Sequence, residues 1–236
     1  MDSQLTYTQA LSLFTYWDGL ALCLLLLCWI GVGQLIENPP PKYPSVRSLM
    51  VAYRRDWMRE FVTRSPRVFD SSVLASLRQG TTFFASGCMI AIGGGLALIG
   101  NTDRLSDVAG DLALGKAPEF YWEIKLLLMV LLLSNGFLKF VWAHRLFGYC
   151  AVVLSSVPND ENDPRAYKRA AKAGSLNISG AKSYNRGMRS VYFALAAAAW
   201  LIGPLALALA RLLTMTMLLR RAFGSLSRQA LMAPED

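Results

Sequence analysis

The chain has 236 residues, of which 54% are hydrophobic and 17% charged, and its mean hydropathy is +0.34. Typical soluble domains carry roughly 25% charged residues, so the composition argues against an ordinary water-soluble domain. The net charge of +8 does not indicate nucleic-acid binding, because the basic residues gather in loops between apolar segments.

Four apolar segments are candidates to cross a bilayer, which takes about 18 or more residues with few charges. We predict spans at about 19–36, 81–100, 122–145 and 191–213. The inner end of the third span is undefined, because Lys139, His144 and Arg145 fall inside the apolar run, and Pro204 interrupts the fourth. The predicted fold class is therefore all-α: a single domain, 1–236, forming an integral membrane helical bundle of about four transmembrane helices plus a cytoplasmic amphipathic helix.

The charges between the spans predict an orientation. Lys and Arg outnumber acids in loops 37–80 and 146–190, whereas Asp103, Asp107, Asp111 and Glu119 dominate the loop between the second and third spans. Because Lys and Arg accumulate on the cytoplasmic side, we predict that loops 37–80 and 146–190 are cytoplasmic and the N-terminus is outside. The expected location is the bacterial cytoplasmic (inner) membrane. The basic C-terminal tail disagrees, and either lies along the outer surface as an amphipathic helix or indicates a different number of spans.

The first basic loop contains a helical pattern. Leu49, Tyr53, Trp57 and Phe61 recur every four residues and share one helical face. Arginines crowd the other side: Arg47, Arg54, Arg55 and Arg59. Such a helix suits the membrane interface, or packs on neighbouring spans.

Two sets of residues predict structural roles. Gly87, Ala91 and Gly95 are spaced by four residues along the second span and predict a helix-packing seam, since small residues let transmembrane helices approach closely. Asn185, at the start of the last predicted span, is a candidate helix cap, because an Asn side chain can accept a hydrogen bond from a free helix N–H.

The third span holds most of the intramembrane polar groups, which are costly in a bilayer and point to function. The candidate polar site comprises Asn135, Lys139, His144 and Arg145. Lys139 has a second interpretation as an anchor that reaches the inner interface with its long side chain. If it faces the bundle interior instead, Asp18 or Asp70 are candidate partners.

The sequence offers no recognisable chemistry beyond this. It has one histidine, and its four cysteines, Cys23, Cys28, Cys88 and Cys150, form no CxxC pair. Nucleotide-binding, zinc-protease and hydrolase motifs are not found. We therefore predict no catalytic residues, no metal ligands and no cofactor.

Several stretches resemble the membrane family called domain of unknown function 599, over about residues 17 to 210. The strongest are Arg67 to Asp70, Phe83 to Ser86, Phe137 to Arg145, and Asn185 to Tyr192 with Trp200 and Pro204. The resemblance implies a multispanning membrane protein and brings no activity or site residues.

Three functional hypotheses remain. The first is a non-enzymatic accessory or scaffold subunit that associates through its transmembrane helices. The second is a homo-oligomeric permease or channel for small solutes or ions, with a polar path along the third span. A membrane enzyme comes third. The expected partners are membrane lipids and either further copies of the chain or other membrane-protein subunits, with no nucleic acid.

Overall fold

The computed structural model describes residues 14–102 and 119–234, and these residues are helical without a β-strand. The α-helices, in chain order, are α1 (Tyr16–Glu37), α2 (Val46–Thr63), α3 (Val68–Ile99), α4 (Glu119–Ser155), α5 (Ala166–Ala198), α6 (Pro204–Phe223) and α7 (Leu226–Met232). The predicted all-α fold class is confirmed. Asp103, Asp107 and Asp111 of the predicted acidic loop lie outside the described residues.

Among the described helices, α1, α3 and α4 are long and apolar enough to cross a membrane. α1 and α4 contain the first and third predicted spans, and α3 covers the second up to Ile99, one residue before its predicted end. α3 begins at Val68, well before the predicted span at 81–100, and α4 continues to Ser155, beyond the predicted end at 145. The loops predicted at 37–80 and 146–190 accordingly contain α2 and much of α5.

The fourth predicted span, 191–213, is divided between two helices. α5 ends at Ala198, a 3₁₀ turn covers Ala199–Leu201, and α6 begins at Pro204. Gly203 between them has φ of +152°, a conformation that glycine adopts without a Cβ penalty. Proline at the first helical position loses no helical hydrogen bond, because its missing N–H would have no partner there. A fourth crossing of the membrane stays a prediction, as does the single domain.

The described residues form two compact units. The first combines the described parts of Met1–Gly33, Cys88–Gly136 and Arg189–Leu218. Here α3 and α4 approach closely, because a Cβ on Gly95 would lie only 2.7 Å from Cγ2 of Val130.

The second unit combines Gln34–Gly87, Phe137–Met188 and the described part of Leu219–Asp236. Its core joins α2, α3, α4 and α5, and the large apolar members include Met58, Phe61, Leu74, Phe147 and Leu154. Glycines of α5 allow these side chains to pack closely against the helix backbone. A Cβ on Gly180 would lie 2.9 Å from the Phe147 ring.

The amphipathic helix predicted in the first basic loop is present as α2, but its buried face is rotated from the predicted one. Met58, Phe61 and Val62 are buried, whereas Tyr53 is exposed. Arg54 was predicted on the face of the helix opposite the aromatic residues. It is half-buried instead and donates a hydrogen bond to Oδ1 of Asn177. Residues at spacings of three and four face the core, and a strict spacing of four drifts away from that face.

Along α3, burial follows a repeat of seven residues. Beyond its first turn the buried positions are Leu74, Thr81, Cys88 and Gly95. A seven-residue repeat produces a narrow seam on one side of a helix. The remaining surface of α3 is left largely uncovered.

Candidate functional site

His144 lies in a polar cluster with residues of α3, all within the second unit. Its Nδ1 lies 3.2 Å from Oγ1 of Thr81 and 3.3 Å from Oγ1 of Thr82. Its Nε2 lies 3.4 Å from Nη2 of Arg78. Because a guanidinium can only donate, Nε2 is the acceptor in the contact with Arg78. Thr81 donates in turn to the Arg78 carbonyl at 2.6 Å.

The other three residues of the predicted polar site do not join this cluster. Lys139 and Asn135 are half-buried and Arg145 is exposed. The Lys139 carbonyl accepts a hydrogen bond from Oγ of Ser183 at 2.8 Å, and the Arg145 guanidinium lies 6.0 Å from the ring centroid of Tyr149. Of the predicted set, His144 alone has its own side chain within hydrogen-bond distance of side chains of another helix among the described residues.

A groove lies beside the His144 cluster on the second unit and has a volume of about 300 Å³. We call it the basic groove. It is lined by Phe61, Arg67, Ser71, Leu74, Ala75, Arg78, Ala151, Leu154, Ser155, Val157 and Asn159. Its apolar residues Phe61, Leu74, Leu154 and Val157 are buried, and no carboxylate is among the lining residues. The groove therefore combines an apolar floor with two cations.

Arg67 is held firmly at one end of the basic groove. Its Nη1 donates to the Val157 carbonyl at 3.0 Å and to Oδ1 of Asn159 at 3.1 Å. Its Nη2 donates to the carbonyls of Val62 and Pro158, at 3.1 and 2.9 Å. These bonds satisfy carbonyls at the end of α2 and beyond the end of α4, where no further helical N–H follows.

Arg78 differs from Arg67, because it is exposed and, among the described residues, its side chain has a single polar contact, with the His144 ring. A guanidinium with most of its donors directed to solvent can reorient toward an anion. Sequence analysis missed both arginines because they are distant along the chain from His144.

Asp70 anchors the start of α3. The residue has 0% exposure, and its Oδ1 accepts from Nε1 of Trp57 and from Nη1 of Arg64, both at 2.6 Å. Its Oδ2 has no hydrogen-bond partner among the described residues. An acidic side chain in the first turn is also favoured by the helix dipole.

Glu37 at the end of α1 is held by two cations of α5. Arg186 Nε donates to Oε1 at 2.7 Å, and Lys182 Nζ lies 3.4 Å from Oε2. The hydrogen bond to Glu37 raises the pKa of Arg186. Burial lowers the pKa of the neighbouring Arg47, whose guanidinium donates to the Glu37 carbonyl.

The first unit contains a separate buried pair of opposite charges, Asp18 and Lys125, each with 2% exposure. Asp18 accepts from Nε1 of Trp200 at 2.7 Å and from the hydroxyl of Thr15 at 2.8 Å. Lys125 Nζ lies 3.9 Å from the ring centroid of Tyr121, within the range of a cation–π interaction. Asp18 and Asp70, the predicted partners of Lys139, are thus both hydrogen-bonded to other residues.

The three residues of the predicted packing seam do not lie on the same side of α3. Gly95 is buried against Val130, whereas Gly87 and Ala91 are exposed, and a Cβ on Gly87 would meet nothing within 4 Å. At 3.6 residues per turn, two steps of four residues rotate by about 80°. Gly95 therefore lies on the internal seam and Gly87 outside it.

The prediction that Asn185 caps a helix is wrong. Asn185 lies in the interior of α5, which begins at Ala166, where backbone N–H groups already have helical partners. The apolar run starts near Val191, but the helix starts much earlier, because its upstream part packs in the second unit.

The described residues contain no group of three or more His, Cys, Asp or Glu side chains that could hold a metal ion. Cys23, Cys28, Cys88 and Cys150 are free. Asn177 Nδ2 lies 3.9 Å from the buried Cys150 Sγ.

Comparison with known proteins gives a family and no activity. No curated protein and no solved structure matches the chain. The family model described as "Protein of unknown function, DUF599" matches residues 20–226, which is most of the chain. The three helices apolar enough to cross a membrane agree with the multispanning architecture implied by the sequence resemblance. The chain therefore belongs to the DUF599 family.

Proposed function

We propose that this protein is a non-enzymatic membrane subunit that self-associates through the uncovered face of α3. The observation that carries the proposal is the uneven cover of the two longest apolar helices. In the most apolar window, 11% of α3 is buried, against 39% of α4.

Small residues on α3 support a second copy of the chain as the occupant. Gly87, Ala91 and Gly94 are exposed, and a Cβ added to Gly87 or Gly94 would meet no atom of the described residues within 4 Å. Transmembrane helices associate by close packing and not by a hydrophobic force, so small residues mark their interfaces. A second α3 can approach this face closely, which a lipid chain does not require.

The proposal includes a topology. The basic segments 37–80 and 146–190 face the cytoplasm of a bacterial inner membrane, and the N-terminus is outside. Arg67 and the cations around Glu37 then lie at the cytoplasmic side. This orientation would be tested by labelling single cysteines placed at Asp163 and at Asp107 from either side of the membrane.

Self-association is tested by the mass of the full chain in mild detergent and in lipid nanodiscs. We expect a dimer for the wild-type protein. We expect a weaker dimer for Gly87→Leu, because a large side chain would hold apart two helices that small residues allow to approach closely. Gly31→Leu is the matched control, since Gly31 is exposed on α1 with nothing within 4 Å, and should leave the dimer unchanged.

Three results would contradict the proposal. One is a monomer in both media. Another is equal weakening by the two glycine substitutions. The third is solute flux in proteoliposomes that Lys139→Leu abolishes, which would favour the permease hypothesis.

A further inference from the structure

We propose that the basic groove binds the headgroup of an anionic phospholipid, with Arg78 contacting the phosphate. The groove is independent of the proposed α3 interface. The lining residues of the groove do not include Gly87, Ala91 or Gly94 of that interface.

The level of the groove along α3, relative to the bilayer, favours a lipid. α3 has 32 residues and is about 48 Å long at 1.5 Å per residue, whereas the hydrocarbon core of a bilayer is about 30 Å thick. The predicted span at 81–100 fills that core. Arg78 precedes it by three residues, which is about 4.5 Å along the helix axis, and so lies at the level of the headgroups.

The chemistry of the lining residues favours an amphipathic anion. Phe61, Leu74 and Leu154 are buried in the floor, where the glycerol and upper acyl carbons of a lipid would lie. Two arginines also line the groove, and no carboxylate is among the lining residues. A small soluble anion would gain nothing from the apolar floor.

Arg78 is the arginine free to bind. The guanidinium of Arg67 is committed to carbonyls near the ends of α2 and α4. Arg78 contacts His144 at 3.4 Å, and a phosphate oxygen is a stronger acceptor for a guanidinium than a neutral imidazole nitrogen. Arg67 therefore shapes the groove, and Arg78 supplies the donor for the headgroup.

The test is native mass spectrometry of the delipidated full chain, titrated with phosphatidylglycerol or with phosphatidylcholine of the same acyl chains. We expect tighter binding of the first phosphatidylglycerol. Arg78→Gln should weaken that binding about fivefold, which is the usual contribution of one cation near an anionic lipid surface. Arg59→Gln is the charge control. The Arg59 side chain is 75% exposed and lines a different groove, so we expect less than a twofold change.

A second variant tests the groove without altering charge. Ala75 is exposed in the wall, so Ala75→Phe should fill the groove, leave folding intact and weaken phosphatidylglycerol binding. Equal affinity for the two lipids would overturn the proposal. So would equal loss in Arg59→Gln, or full competition by inorganic phosphate, which would indicate a site for the free anion.

Discussion

α3 and α4 have the same mean hydropathy of 1.9 in their most apolar windows, yet α4 is much more buried. In α4 the buried set of the first unit includes Lys125, Leu126 and Val130, whereas α3 presents a single buried line repeating every seven residues. The difference teaches that hydropathy identifies a candidate span but does not tell a central helix from one whose surface is open to lipid or to another chain. Packing makes that distinction.

The largest effect is expected where α3 touches α4. Gly95→Leu should lower the free energy of unfolding by about 3 kcal/mol, the upper part of the usual range for overpacking, because a Cβ already lies 2.7 Å from Val130 Cγ2. Unfolding in detergent with increasing SDS measures the change. Gly93→Leu is the control, since Gly93 is exposed with nothing within 4 Å. Equal losses in the two variants would remove the distinction between the inner and outer sides of α3.

The next effect concerns the start of α3. Asp70→Ala should cost about 2 kcal/mol, because it leaves Trp57 and Arg64 without their acceptor. The same SDS unfolding experiment measures it. Asp56→Ala removes an exposed carboxylate that lies 3.5 Å from Arg59, and should change stability by less than about 0.5 kcal/mol. A silent Asp70→Ala would show that the buried carboxylate does not anchor α3.

A smaller effect is expected in α4. Lys125→Met should change stability by less than about 1 kcal/mol, because a Met of similar length replaces the buried cation and the Asp18 carboxylate keeps its hydrogen bonds from Trp200 and Thr15. Thermal unfolding of the purified variant measures it. A large loss would mean that the charge of Lys125 and its attraction to Asp18 hold the first unit together.

The smallest effect lies beyond the end of α4, in the turn before α5. The hydrogen bond from Arg165 lowers the pKa of Asp163 to about 2. A lowered pKa contributes stability above the unfolded value of about 3.9, and that contribution is lost as pH falls through about 2. A titration of the Asp163 carboxyl by NMR should therefore show a midpoint well below 3.9. A midpoint near 3.9 would mean that the Arg165 contact does not persist in solution.

Sequence patterns predicted the helical class, three helices that are long and apolar enough to cross a membrane, and the helix α2, because each rests on local periodicity or length. They singled out His144, but with Asn135, Lys139 and Arg145, none of which joins the cluster that His144 forms with Arg78, Thr81 and Thr82. They named Asp18 and Asp70 only as partners of Lys139, and they missed Arg78 and the burial of Lys125. The contacts of Arg78 with His144 and of Asp18 with Trp200 join residues that are distant in sequence. Asn185 was wrongly predicted to cap a helix, because the start of an apolar run near Val191 indicates where a membrane span begins and not where the helix begins.

The most direct test of self-association is disulfide cross-linking in membranes, with the four native cysteines replaced by alanine. Ala91→Cys on α3 is compared with Leu138→Cys on α4, whose side chain is 63% exposed. A disulfide requires Cα atoms within about 7 Å, so only a close α3–α3 contact joins two copies through position 91. We predict a covalent dimer with Ala91→Cys and none with Leu138→Cys. No dimer with Ala91→Cys, or equal dimers with both, would contradict association through α3.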